Sequence, residues 1–124
     1  MLKRMTLLVA MLAAGGAAQA QAQDATGVWL RDSGESRVRF APCGGALCGT
    51  ITWLKSPDSK AKVGQRVFFD MKPAGANQWN GQAFNPEDGK TYTGKMSLSG
   101  NRLTTSGCAL GGLVCRSVVW TRVN

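Results

Sequence analysis

Histidine is absent from this sequence, which removes the commonest general base and the commonest neutral metal ligand together. No serine triad can be assembled without it. Acidic residues are also scarce, 7 against 15 basic ones. Paired carboxylates that hydrolyse glycosides stand about 5 to 9.5 Å apart, whereas Glu87 and Asp88 are sequence neighbours in a turn. Asp70, between Phe69 and Met71, is expected to point outward from an apolar strand. The acidic density of a dedicated calcium loop is missing. No basic stretch is interleaved with aromatics, so there is no stacking platform for nucleic acid. Neither cysteine spacing is C-x-x-C, which speaks against a redox motif. These absences exclude any recognisable catalytic constellation, metal site or cofactor motif, and the chain is expected not to be an enzyme.

The amino end carries the clearest positive signal. Lys3 and Arg4 precede an uncharged apolar segment, Thr6 to Ala14, and then Ala18-Gln19-Ala20 or Ala20-Gln21-Ala22 supplies a small-x-small cleavage site. Residues 1–22 therefore read as a secretory signal peptide, and 23–124 as one exported domain, periplasmic or secreted. The apolar run breaks at Gly15 and Gly16 and falls short of the roughly 20 residues that span a bilayer. Lipid anchoring would require a cysteine at the cleavage point, and the first is Cys43. Loss of Lys3 and Arg4 takes the formal charge from +8 to about +6.

All four cysteines, Cys43, Cys48, Cys108 and Cys115, lie beyond that signal, where the compartment is oxidising. Three pairings are possible. The Gly-rich segments 44–47 and 109–114 look like hairpin loops and favour Cys43 with Cys48 and Cys108 with Cys115. Loops this short contribute roughly 2 to 2.5 kcal/mol each in the chain-entropy picture.

Every segment after Thr26 reads as strand or turn. Val38 and Phe40 alternate with Arg37 and Arg39, and Tyr92, Gly94, Met96 and Leu98 alternate with polar residues, the period of a strand with one buried face. Ile51 and Trp53 are expected to share a face, as are Val67, Phe69 and Met71. Turns are expected at Asp32-Ser33-Gly34, Lys72 to Gly75, Asn85 to Gly89 and Ser99-Gly100-Asn101. About eight short strands without a helix imply an all-β, antiparallel meander, and closing it into a barrel would leave no exposed edge.

Gly27-Val28-Trp29 opens the first strand and Trp120-Thr121-Arg122 closes the last. This resembles the lipocalins and their calycin relatives, in which a G-x-W packs beside a basic residue of the last strand. Arg122 over the face of Trp29 would then seal one end of a lipocalin-like barrel. A closer resemblance spans nearly the whole exported domain. Together with those two ends, Pro42-Cys43-Gly44-Gly45, Leu47-Cys48-Gly49, Trp53-Leu54 and the run Asn85 to Tyr92 look like the exported bacterial family called domain of unknown function 2147 (DUF2147). That resemblance implies a secreted β domain and carries no activity with it. The family pattern places Tyr-Asp before the turn proline, whereas this chain has Phe84-Asn85, which weakens a metal or catalytic role for position 85.

What remains is binding. An eight-stranded barrel either fills with side chains or holds one small ligand. Phe40, Trp53, Phe69, Tyr92 and Met96 are the candidate contacts for a small apolar or amphipathic ligand, with Gly49, Gly81, Ala83 and Gly94 leaving space beside them. The alternative is a non-catalytic envelope module. In it the basic stretch Lys55, Lys60, Lys62, Arg66 and Lys72 attracts an anionic envelope component.

Overall fold

The computed structural model describes residues 24–124, so the expected signal peptide, residues 1–22, lies outside the described residues. Eight strands follow in chain order: β1 (Gly27–Arg31), β2 (Ser36–Cys43), β3 (Ala46–Leu54), β4 (Arg66–Gly75), β5 (Gln78–Asn85), β6 (Lys90–Ser99), β7 (Arg102–Ala109) and β8 (Val114–Arg122). Each pairs antiparallel with the next, and β8 returns to β1 through Trp29 with Arg122, Leu30 with Thr121 and Arg31 with Trp120. The sheet is a closed meander barrel. Both local disulfides are present, Cys43 with Cys48 and Cys108 with Cys115, each across a tight connection between neighbouring strands. Disulfides of this kind belong to an oxidising, extracytoplasmic setting.

Strict alternation holds where the register is unbroken and fails at bulges. Along β6, Tyr92, Gly94, Met96 and Leu98 take the inner face as the sequence pattern requires, with the outer positions exposed. In β3 the pairing steps from Arg37 with Trp53 to Val38 with Ile51, leaving Thr52 as the extra residue. The bulge reverses the parity beyond it. Ile51 is buried, whereas Trp53 is 40% exposed, its ring 5.3 Å from the Arg37 guanidinium. The expectation that these two share a face is thus overturned by one inserted residue.

β4 departs in the same way. The pairing with β5 steps from Phe69 with Gln82 to Lys72 with Asn80, so Asp70 and Met71 together oppose Gly81. Asp70 takes φ +49° in this bulge and points to solvent. Against β3 the pairing also steps, from Thr50 with Arg66 to Gly49 with Phe68, leaving Val67 extra, so Val67, Phe68 and Met71 are buried while Phe69, expected to share the face of Val67 and Met71, is only half-buried. The turn expected at Lys72 to Gly75 is strand as far as Gly75, and reversal comes at Ala76-Asn77, with Asn77 at φ +59°. Pro73 is tolerated because it lies past the last β3 pairing, Leu47 with Met71. The ladder donor it lacks is not needed there.

One end of the barrel is filled with large side chains. Trp29 and Leu103 are fully buried, with Phe40, Met71, Met96 and Leu98 around them, each large side chain contributing about 1.5 to 3 kcal/mol on burial. The Arg122 guanidinium lies 4.4 Å from the Trp29 ring centroid. It donates to the carbonyls of Thr26 at 2.8 Å and Asp24 at 2.7 Å, while the Trp29 indole donates to the Ala25 carbonyl at 2.9 Å. Three residues of lead chain, Asp24, Ala25 and Thr26, are thereby folded across the barrel end as a lid. Gly27 is required at the start of β1: at φ +127°, a Cβ there would lie 2.4 Å from the Asn124 carbonyl oxygen. The first and last strands press together at that point.

Replacing Arg122 with Met keeps much of the stacked aliphatic stem but removes the cation and both charge-assisted bonds. We expect a loss of about 2 to 4 kcal/mol in denaturant unfolding with the disulfides intact, against a change within about 0.5 kcal/mol for the exposed Lys95→Met.

Candidate functional site

The opposite half is open. An aromatic floor divides it from the packed half: Phe40 and Phe68 ring centroids are 5.2 Å apart, and Trp120 meets Phe68 edge-on at 6.4 Å. The floor depends on Gly49, where a Cβ would come within 2.8 Å of the Phe68 ring and 2.9 Å of Phe40. Trp120 is held by its indole N–H, which donates to the buried Thr105 hydroxyl at 2.9 Å. Above the floor is a cavity of about 1480 Å³ whose apolar wall includes Val38, Ile51, Val67, Phe68, Val118 and Trp120. Drug-sized pockets occupy roughly 300 to 1,000 Å³, and this one exceeds that range because it continues outward between the loops. A smaller hollow of about 390 Å³ lies near the other end, beside Met71 and Trp79.

The expected ligand contacts distribute unevenly about this space. Tyr92 lines the cavity. Phe40 is buried within the floor and Met96 below it, at 1% and 2% exposure, and neither lines the cavity. Trp53 stands outside the barrel on Arg37, and Phe69 is on the outer register of β4. The small residues also differ from expectation. Gly49 is filled by the floor rings, Gly81 meets the Asp70 bulge and Gly94 the β5 backbone, so of those four only Ala83 borders the open space. Phe68 is the contact that alternation missed, because the pairing of β4 steps at Val67 against β3 and at Asp70 against β5, and neither step shows in the sequence pattern.

The rim is built from loops that the sequence left irregular. Residues 55–65 fold back over the barrel, Gly64 N–H donating to the Ile51 carbonyl at 2.8 Å and Ile51 N–H to the Gln65 carbonyl at 2.9 Å. Ala61 packs onto the core from this loop. The five cations expected to act together are dispersed. Lys60 donates to the Glu87 carbonyl at 3.4 Å, whereas Lys72 sits on β4 opposite Asn80, toward the packed end.

The turn from Asn85 to Gly89 uses its polar side chains internally. Asn85 Oδ1 accepts from Glu87 N–H at 2.9 Å, and the Asn85 carbonyl accepts from Gly89 N–H at 2.8 Å. At position 85 the side chain thus supplies an acceptor to the turn. Asp88 accepts from Lys90 N–H at 2.9 Å and, through its other oxygen, from the Tyr92 hydroxyl. The Tyr92 bond, and then that from Lys90, hold the Asp88 carboxyl below its ordinary range. The same contact pushes the Tyr92 hydroxyl up, joined by desolvation and the Asp88 charge, with the Arg116 charge opposing. Among the described residues no group of three or more potential metal-ligating side chains forms.

A family model described as an uncharacterized protein conserved in bacteria (DUF2147) matches residues 27–122. Among solved structures, the barrel is similar to protein HP1028 from the human pathogen Helicobacter pylori, described as belonging to the lipocalin family. The TM-score is 0.66 at 17% identity, covering 82% of this chain and 84% of that one. The shared property is the lipocalin fold. No curated protein matches the chain.

Tyr92 is the single tyrosine of the sequence, so phenolate absorbance reports it alone. Its stabilising contact is present below the ordinary value of 10.0 and is lost as pH rises through the raised value. The Asp88 contribution is present above 3.8 and lost as pH falls through the lowered value. Alkaline titration should give a midpoint above 10.0, and Asp88→Asn should move it down; an unshifted midpoint would show that the bond does not form.

Proposed function

The chain belongs to the DUF2147 family, and we propose that it is an exported, non-catalytic carrier or sensor that binds one small apolar or amphipathic molecule in the open half of its barrel. The observation carrying this reading is the division of the interior. An eight-stranded barrel is narrow enough to be filled by side chains throughout, yet here the aromatic floor stops the packing midway and leaves apolar walls facing a cavity. A preformed concavity with apolar walls beside the floor and polar groups toward its mouth is the usual form of a small-molecule site. The similar protein described as a lipocalin supports the same reading at the level of fold. Export to the periplasm or beyond, after removal of residues 1–22, agrees with the two disulfides. The alternative of a basic docking loop has less support, because its cations do not gather on one face.

The neutral fluorophore N-phenyl-1-naphthylamine tests the cavity without involving charge. Saturable one-to-one binding is expected. Ala83→Trp, which places an indole above Phe68, should weaken it at least about tenfold, equivalent to about 1.4 kcal/mol, while retaining a cooperative thermal transition. Non-saturating uptake, or equal binding by the filled variant, would overturn the reading.

A further inference from the structure

We propose that the cavity recognises an anionic head group on an otherwise apolar molecule, through Arg31 and Arg116 on the wall formed by β1 and β8. The inference rests on the cavity reading above and adds the chemistry of the ligand's polar end.

Both arginines are placed on the inner face by register. Trp29 and Arg31 share one side of β1, and Arg31 pairs with Trp120. On β8 the inner column runs Arg122, Trp120, Val118, Arg116, with Arg116 paired to Gly107. Arg122, at the bottom of this column, is spent on the Trp29 ring and two carbonyls. The two above it line the cavity. At about 3.3 Å per residue, Arg116 lies roughly 13 Å along the strand from the level of Arg31. Two side chains of arginine length can converge across that interval, over Val118. Gly107 beside Arg116 contributes no side chain to block it. Tyr92, whose Cβ lies 3.5 Å from where a Gly107 Cβ would stand, bounds the space on the far side.

Neither guanidinium has an ion-pair or hydrogen-bond partner among the described residues. Four carboxylates also border the cavity, Glu35, Asp58, Glu87 and Asp88, and all lie in the rim turns and loops. Asp88 is already committed to Tyr92 and Lys90. Glu35, Asp58 and Glu87 are exposed and pair with neither arginine. Two guanidinium forks with no partner among the described residues therefore border the cavity. Such forks match carboxylate and phosphate oxygens. A hydrocarbon segment would rest against Val38, Ile51, Val67 and Phe68.

Displacement of N-phenyl-1-naphthylamine by decanoate, decyl phosphate and decanol separates head from tail. At neutral pH and about 0.15 M salt, where screening confines exposed charges to about 8 Å, both anions should bind at least about tenfold more tightly than decanol. Arg31→Gln and Arg116→Gln should each remove most of that preference and leave decanol unchanged. Lys95→Gln, the same charge change on the outer face of β6, should alter nothing. The stronger of the two anions identifies a carboxylate or a phosphate source. Equal binding of decanol and the anions would overturn the head-group inference while the cavity reading stands; so would a loss of preference in Lys95→Gln equal to that of the arginine variants. Failure of the fluorophore itself to bind would bring down both.

Discussion

The stacked pair of Arg122 and Trp29 is the contact on which the rest of this barrel depends, because it lies where the chain's two ends must meet. A meander has two free edges until its first and last strands join, and only three residue pairs join β1 to β8. Backbone bonds between Val28 and the last two residues, Val123 and Asn124, and from Asp32 N–H to the Val119 carbonyl extend that short seam. The guanidinium compensates by binding what the ladder cannot reach, the ring on one side and the carbonyls of Thr26 and Asp24 on the other. Asp24 in turn accepts from Thr26 N–H, which holds its carboxyl below the usual range with a smaller contribution from the Arg122 charge. One side chain thus fixes strand closure and the lid together. With that end sealed, access to the interior is confined to the other.

That confinement gives the aromatic floor its importance. Below it, large side chains interdigitate around Trp29 and supply most of the burial. Above it, the walls remain apolar but nothing fills the middle. The boundary is set by few atoms: the missing Cβ of Gly49 lets Phe40 and Phe68 approach, and Thr105 holds the Trp120 indole against them. Stability and openness are therefore assigned to opposite halves of one short barrel. Cys108 with Cys115 closes the β7–β8 connection at the rim, and Cys43 with Cys48 does the same for β2 and β3 at the packed end. Each constrains a hairpin locally. Neither ties distant strands, so closure of the cylinder is left to the pairing of β1 with β8 and to Arg122.

Much of this architecture was legible in the residues. Alternation along β6, turn chemistry from Asn85 to Gly89, and the G-x-W with its distant arginine were enough to imply a closed antiparallel meander. The candidate site was less legible, and the reason is local. Period-two reasoning carries a strand only as far as its first bulge: of the aromatic candidates outside the cavity, Trp53 and Phe69 lie beside the bulges at Thr52 and Asp70, whereas Phe40 is taken up by the floor. A single extra residue moves a side chain from one face to the other. Glycines misled in the opposite sense. Gly49, Gly81 and Gly94 looked like vacated space, yet at each a Cβ would collide with a ring or a neighbouring strand. Small residues in a tightly coiled barrel mark close approach as often as emptiness.

Charge placement at the rim completes the physical account. Carboxylates in turns have backbone donors close at hand, and Asp88 shows the result: its oxygens are occupied by Lys90 N–H and the Tyr92 hydroxyl, and its charge is held by them. Strand arginines have no such outlet, because ladder carbonyls are already paired. A guanidinium on the inner face must then find a ring, as Arg122 does, or a free carbonyl, or stay solvated. Arg31 and Arg116 stay solvated, half-buried and exposed respectively, at the wet end of the barrel. Solvation there is cheap compared with burying an unpaired cation, so the molecule tolerates both charges while empty. An entering apolar chain would displace that water, and the two arginines would keep favourable company only if the chain brought an anion with it.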